Sequence, residues 1–213
     1  MLTDIDFAIS FFNYSTHTGV VASKRIREFD LHADFTLCFW LKVEEEPTLN
    51  TDLLDIFNLK TLKSDMFIVL DKNREIKFFY QTNTYVNRRS SLVDVSNAWE
   101  PYCLKKEARV FEVSTRSQNG SVTTIGEYPI YSSPRKLQHQ QMIIIGHSET
   151  RIGTKGEFKG SIAHLFLYSK ALSTDQIAEF FDKNPPMENV GFGWWDFKNQ
   201  ALPGYSKETK PFS

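Results

Sequence analysis

Apolar and polar positions alternate in short runs along most of this chain. The clearest run in the first half is Asp34-Phe35-Thr36-Leu37-Cys38-Phe39-Trp40-Leu41-Lys42-Val43. Successive side chains of a strand point to opposite sides, so Phe35, Leu37, Phe39 and Leu41 share one face and Thr36, Cys38, Trp40 and Lys42 the other. Both faces are largely apolar, which predicts a central strand of a two-layer structure. Residues 7–14 and 20–22 predict two earlier strands, and the mixed charge of 23–32 reads as a loop. The acidic Glu44-Glu45-Glu46 ends the central strand as a solvated loop. Residues 53–59 and 66–70 are further strands, Asp71-Lys72-Asn73-Arg74 is a hairpin turn by composition, and 75–80 returns from it.

Residues 82–91, polar and basic with Arg88 and Arg89, read as an exposed connection. Shorter strands are expected over 99–104, 109–115 and 122–125. The last two are joined at Asn119-Gly120, a hairpin signal that wants positive φ at both central positions. Met142-Ile143-Ile144-Ile145-Gly146 predicts a buried strand ending in glycine, followed by a polar segment over 147–155. Residues 162–168 form an apolar and aromatic strand that contains one histidine, His164. Ser173 and Gln176 make a capping box, which satisfies two amides at a helix start. Ile177, Phe180 and Phe181 fall on one helical face, and Asn184-Pro185-Pro186 stops the helix. Residues 190–197 predict an aromatic terminal strand, and the polar 201–213 lies across the surface. Many short strands and one late helix give an all-β, two-sheet antiparallel sandwich with one short helix near residues 173–183. No internal repeat or low-complexity tract divides it, so residues 1–213 read as a single domain.

Composition narrows the functional classes. The chain has 213 residues, 41% hydrophobic and 24% charged, enough to bury a full core, and its 18 Phe suit pleated, half-buried surfaces. A formal net charge of -1 attracts neither nucleic acid nor an anionic membrane. No apolar run approaches the roughly 20 residues that span a bilayer. The start, Met1-Leu2-Thr3-Asp4, lacks the basic and apolar regions of a signal peptide. The chain therefore reads as cytoplasmic, or as a mature or excised piece of a secreted protein. The two cysteines, Cys38 and Cys103, are compatible with one disulfide and equally with two buried thiols. Two triplets, Asn13-Tyr14-Ser15 and Asn119-Gly120-Ser121, fit the N-glycosylation pattern and lean toward an extracellular setting.

Four features resemble the pentraxin family, a branch of the lectin-like jelly rolls that also includes laminin G domains. Asp34 to Trp40 is similar to the early pentraxin strand that ends in its first half-cystine. Cys103 follows at a spacing close to that of the family's single intrachain disulfide. Met142 to Gly146 resembles the strand leading into the calcium loop. Phe158-Lys159-Gly160-Ser161-Ile162 through Ala171 to Ile177 is similar to the late strand-and-helix segment. The tail, from Asn189 to Trp195 and on to Lys210-Pro211-Phe212, also looks like the family's last strand. The resemblance implies a jelly-roll sandwich, a Cys38–Cys103 disulfide and an oxidising compartment. Around the second cysteine the chain departs from the family signature, with Pro101, Lys105 and Lys106 in its place, so the domain reads as a divergent member.

The resemblance also implies calcium, which needs six to eight oxygen ligands. The family's first ligand pair falls on Ser64 and Asp65, and its run after the glycine on His147-Ser148-Glu149-Thr150. The loop beyond keeps one acid, Glu157. Asp65, Glu149 and Glu157 are thus the candidate ligands for one weakly held ion. The family's two-ion site is lost, and no cofactor is required. A glycoside hydrolase would need two carboxylates flanking the scissile bond, on one strand in a pattern such as Glu-x-Asp-x-x-Glu. No strand carries it, and strand interiors read as apolar. His17, His32, His139, His147 and His164 are scattered without a zinc-like spacing, and His164 reads as a core or sheet-edge group. The expected function is therefore a non-catalytic extracellular recognition domain. It would bind a glycan, lipid headgroup or protein ligand through one sheet face, without a membrane span, and the resemblance implies assembly as a homo-oligomer. The alternative is a laminin G-type adhesion module of a larger receptor or matrix protein, making calcium-independent protein contacts.

Overall fold

The computed structural model describes residues 8–11, 22–26, 29–59, 63–80, 98–130, 141–145, 159–193 and 207–208. In chain order the elements are β1 Ala8–Phe11, β2 Ala22–Ile26, β3 Phe35–Val43, β4 Thr51–Asn58, β5 Lys63–Leu70, β6 Ile76–Tyr80 and β7 Glu100–Glu107. They continue with β8 Val110–Arg116, β9 Val122–Pro129, β10 Gln141–Ile145, β11 Gly160–Tyr168, α1 Thr174–Phe181, β12 Val190–Phe192 and β13 Lys207–Glu208. Among the described residues the strands form two antiparallel sheets. The first runs β13-β1-β11-β3-β7-β8-β9, with β12 also paired to β11; the second runs β2-β10-β4-β5-β6.

The faces of β3 sort as the alternation predicts. Phe35 packs edge-on against Phe111 of β8, and Phe111 against Tyr80 of β6 in the opposite sheet. Phe35, Leu37, Phe39, Leu41 and Val43 therefore face the second sheet, where Leu54, Ile56, Met66, Ile68, Ile143 and Ile145 meet them in one buried core. The other face of β3 looks away from that core and is also buried, because α1 lies on it. Thr36 Oγ1 donates to Lys170 O at 3.0 Å and accepts from Leu172 N at 2.9 Å, which ties down the approach to the helix. Phe166, paired with Cys38 on β3, meets Phe180 of α1 edge-on at 6.0 Å. The Lys183 ammonium stands 5.9 Å over the Trp40 ring. Cys38 and Cys103 are directly opposed on β3 and β7 and joined by a disulfide, both fully buried beneath this layer.

The helix ends are set locally. Ser173 and Gln176 form the expected capping box. The stop comes before the prolines: Lys183 adopts φ 61°, Lys183 N donates to Phe180 O, and Asn184 N to Glu179 O. That is a Schellman closure with lysine at the left-handed position.

Four expectations are corrected. Part of the mixed-charge stretch 23–32 is strand: β2 pairs with β10, and among the described residues it is an edge, where lysine and arginine are tolerated. The polar tail contributes β13, which pairs with β1 through backbone bonds that side-chain polarity does not reveal. At Asn119-Gly120 only Gly120 has positive φ, at 86°. Gly120 N donates to Ser117 O and Ser117 N to Ser121 O, so this is a three-residue loop closed by a glycine bulge, not a two-residue turn. Finally, strand interiors are not purely apolar, since Asp55 and Asn58 are fully buried within β4.

The lysines that break the family signature have structural work on opposite faces. Lys105 pairs outward with Glu112 at 2.9 Å and Glu107 at 3.4 Å. Lys106 points inward, 3% exposed, and donates to His32 O and Ala33 O, so it closes one end of the core. Burial pushes its ammonium below the ordinary lysine value, against the attraction of Asp34 and Asp30.

Glu107 pairs with Val110, leaving Ala108 and Arg109 as a two-residue turn with Ala108 at φ 51°. A Cβ in this region costs about 1 kcal/mol that glycine avoids. Ala108→Gly is expected to raise stability by about 0.5 kcal/mol after the extra unfolded-state entropy, read as a higher urea midpoint at unchanged slope.

Candidate functional site

With α1 covering the outer face of the first sheet, the outer face of the second is the other broad surface of the sandwich. Its residues follow from register. On β4 and β5, Asp52 pairs with Val69, and Asp55 with Phe67; the register shifts between Asp52 and Leu54. Leu53 is the extra residue of a bulge, so Asp52 and Asp55, three apart, share one face. Ile144 of β10 lies beside Asp55, and Phe79 of β6 beside Phe67. Phe67 and Phe79 stack at 4.4 Å and are half-buried. Asp52 and Asp55 are 5% and 0% exposed. Ser64 Oγ donates to Asp55 Oδ2 at 2.8 Å. Reading from periodicity missed this acid pair, because a bulge changes face parity without a composition mark. The signal that was there is a lone acid, Asp55, between Leu54 and Ile56.

A second bulge places Asp65. The register shifts again where Ile56 pairs with Met66 and Phe57 with Ser64, leaving Asp65 extra on β5. Asp65, 3% exposed, lies at the corner of the inter-sheet core with the cross-strand pair Asn58 and Gln141. Asn58 Nδ2 and Gln141 Nε2 both donate to its Oδ2, at 3.0 and 2.8 Å. Calcium needs a shell of oxygens; in the arrangement seen here the Asp65 carboxylate is engaged by the two side-chain amides. Among the described residues no group of three His, Cys, Asp or Glu side chains is arranged to hold a metal. The other expected ligands, Glu149 and Glu157, lie outside the described residues, as do Asn13, Arg88, Arg89, His17, His139, His147, Trp194 and Trp195.

Asp71 closes the β5–β6 hairpin as the composition predicts. It is 2% exposed, accepts from Asn73 N at 2.8 Å and Glu75 N at 2.9 Å, and pairs with the Lys77 ammonium. Burial alone would raise its carboxyl; the bonds from Lys77, Glu75 and Asn73 outweigh it and hold the group below 3.8. A depressed carboxyl stabilises the fold fully above its unfolded value, and that contribution is lost as pH falls through the folded value. Asp71→Asn is expected to cost about 2 kcal/mol at neutral pH. The gap from the parent should close below about pH 4, in urea titrations run from pH 7 to pH 2.

His164 lies in the bulge of β11, where Ala163 pairs with Trp40 and Phe166 with Cys38. It is 1% exposed with φ 47°. The extra residue flips parity, so that Phe166 and Tyr168 both face α1 while Leu167 faces the core; this makes His164 a core group.

A two-sheet jelly roll with one face sealed by a helix over a cross-strand disulfide is a lectin-like sandwich. A profile described as the Concanavalin A-like lectin/glucanases superfamily matches residues 15–178, more than half of the chain. The chain belongs to that superfamily, in its laminin G-like branch. No curated protein sequence matches it. Among solved structures it is similar to the native heptameric SAP-like pentraxin from Limulus polyphemus: 16% identity, TM-score 0.60, covering 97% of this chain and 94% of that one. The full extracellular region of zebrafish Gpr126/Adgrg6 is similar at 14% identity and TM-score 0.65, covering 96% of this chain and 26% of that one. Trypanosoma rangeli sialidase is similar at 17% identity and TM-score 0.52, over 70% of this chain and 22% of that one. The chain thus spans about a quarter of the sialidase and receptor chains. The fold occurs in enzyme and non-enzyme chains alike, and these likenesses carry the fold alone.

Proposed function

We propose that residues 1–213 form one non-catalytic, extracellular recognition domain that binds a glycan, lipid headgroup or protein ligand through the second sheet and its rim. The carrying observation is the fate of the acid pair. Asp52 and Asp55 share a face, as a hydrolase would require, but both are closed off from solvent and Asp55 is engaged by Ser64. Recognition is further supported by the half-buried Phe67–Phe79 stack on the same face, since aromatic faces serve ligand contacts. The buried disulfide supports an oxidising compartment. No described helix is long and apolar enough to cross a membrane.

The test is binding of the oxidised protein to immobilised glycans, phospholipid vesicles and candidate ectodomains, with calcium or with EDTA, beside an assay for glycoside turnover. Saturable binding without product, weakened by Phe67→Ala, supports the reading. Turnover that Asp52→Asn or Asp55→Asn abolishes overturns it. A laminin G-type module of a larger receptor is favoured by the match to one portion of the zebrafish receptor ectodomain. Light scattering separates the two: a ring-sized mass supports pentraxin-like assembly, and a monomer that binds another protein in EDTA supports the module.

A further inference from the structure

We infer that Asn119 is an N-glycan acceptor, built into the tip of the β8–β9 hairpin. This rests on the extracellular reading above. The triplet Asn119-Gly120-Ser121 is more than a sequence match, because the fold presents it. Asn119, Gly120 and Ser121 are all exposed. A Cβ built on Gly120 would meet nothing within 4 Å, so the space around the tip is open. The loop joins β8 to β9, and β9 is the outermost strand of its sheet among the described residues. A bulky oligosaccharide can therefore leave the tip without displacing packed atoms.

The hydrogen bonds also suit the chemistry. Asn119 Oδ1 accepts from Ser121 Oγ at 2.7 Å, from Ser121 N at 3.2 Å, and from Ser117 Oγ. Three donors on the carboxamide oxygen stabilise the charge that gathers there as Nδ2 loses a proton. The co-reactant is a polyisoprenyl-diphosphate-linked oligosaccharide held by the transferase. The nitrogen of Asn119 forms a bond to the sugar's anomeric carbon, and the bond from that carbon to the diphosphate oxygen breaks. The lipid diphosphate leaves with the electron pair, and the proton from Nδ2 passes to a base on the transferase. No oxidation state changes. The hydroxyl at position 121 is part of this arrangement, and the acceptor triplet requires serine or threonine at its third position.

The experiment uses the full chain, expressed behind a secretion leader in animal cells and carrying Asn13→Gln so that the other triplet is silent. Intact mass before and after peptide N-glycosidase is the readout. The expected result is a loss of one core oligosaccharide from this protein, absent from the versions that also carry Asn119→Gln or Ser121→Ala and retained with Ser121→Thr. Secreted protein that is folded, oxidised at Cys38–Cys103 and free of glycan overturns the inference while leaving the extracellular reading intact. A chain that reaches the medium only with both cysteines reduced overturns the extracellular reading, and the inference with it.

Discussion

Removal of the Cys38–Cys103 bridge is expected to cost about 4 kcal/mol, from the closure entropy of a loop of this length. The bridge spans a sequence separation of 65 and closes two neighbouring strands, β3 and β7. In the folded state those strands are already held by ladder bonds, so most of the effect lies in the unfolded chain, which the bridge keeps compact. Both sulfurs are fully buried beneath α1. Reductant should therefore leave the native protein intact until it unfolds, and should act in the denaturation zone. Urea titrations with and without reductant are expected to show a lower midpoint for the reduced protein. Its slope should be steeper, because the open chain exposes more surface. The Cys38→Ala/Cys103→Ala variant should match the reduced protein, less a further small loss for the cavity. A drop below about 1 kcal/mol would mean that the bridge does not restrain the unfolded ensemble.

The second large effect is expected at Phe180. Its ring is fully buried, meets Phe166 edge-on at 6.0 Å and Phe181 at 6.3 Å, and fills the layer between α1 and the first sheet. Phe180→Ala removes that ring from a site whose floor is a rigid sheet and cannot collapse, so a loss of about 4 kcal/mol is expected. Phe180→Leu keeps most of the volume and should cost about 1.5 kcal/mol. The contrast with Ser173→Ala is informative, since loss of the cap alone costs about 1 kcal/mol. If Phe180→Ala and Ser173→Ala were equal in chemical denaturation, α1 would be an ornament on the surface and the first sheet's outer face would be open to ligands. The proposed assignment of binding to the second sheet would then lose its support.

Much of the architecture was legible in the chain. Alternation placed β3 and both of its buried faces, Ser173 and Gln176 placed the start of α1, and Asp71 placed the β5–β6 turn. These are local signals, carried by neighbours in sequence. The pairing of Cys38 with Cys103 was legible only through family resemblance, because two cysteines alone do not say whether they meet. Along β4, β5 and β11 periodicity failed for a common reason. Leu53, Asp65 and His164 are each an extra residue, and an extra residue turns every following side chain to the other face.

By itself, the sequence determined the class: many short strands, one capped helix and two largely apolar faces on β3. Those properties depend on residue type and on spacings of two to four positions, which the backbone geometry of strand and helix converts directly into faces. Tertiary structure alone decided which acids matter. Asp52 and Asp55 share a face because of one bulge, Asp65 turns to Asn58 and Gln141 because of another, and all three are sealed by burial. Burial and register are sums over residues far apart in the chain, so a carboxylate's role as site, strut or bystander is settled only once the sheets have packed.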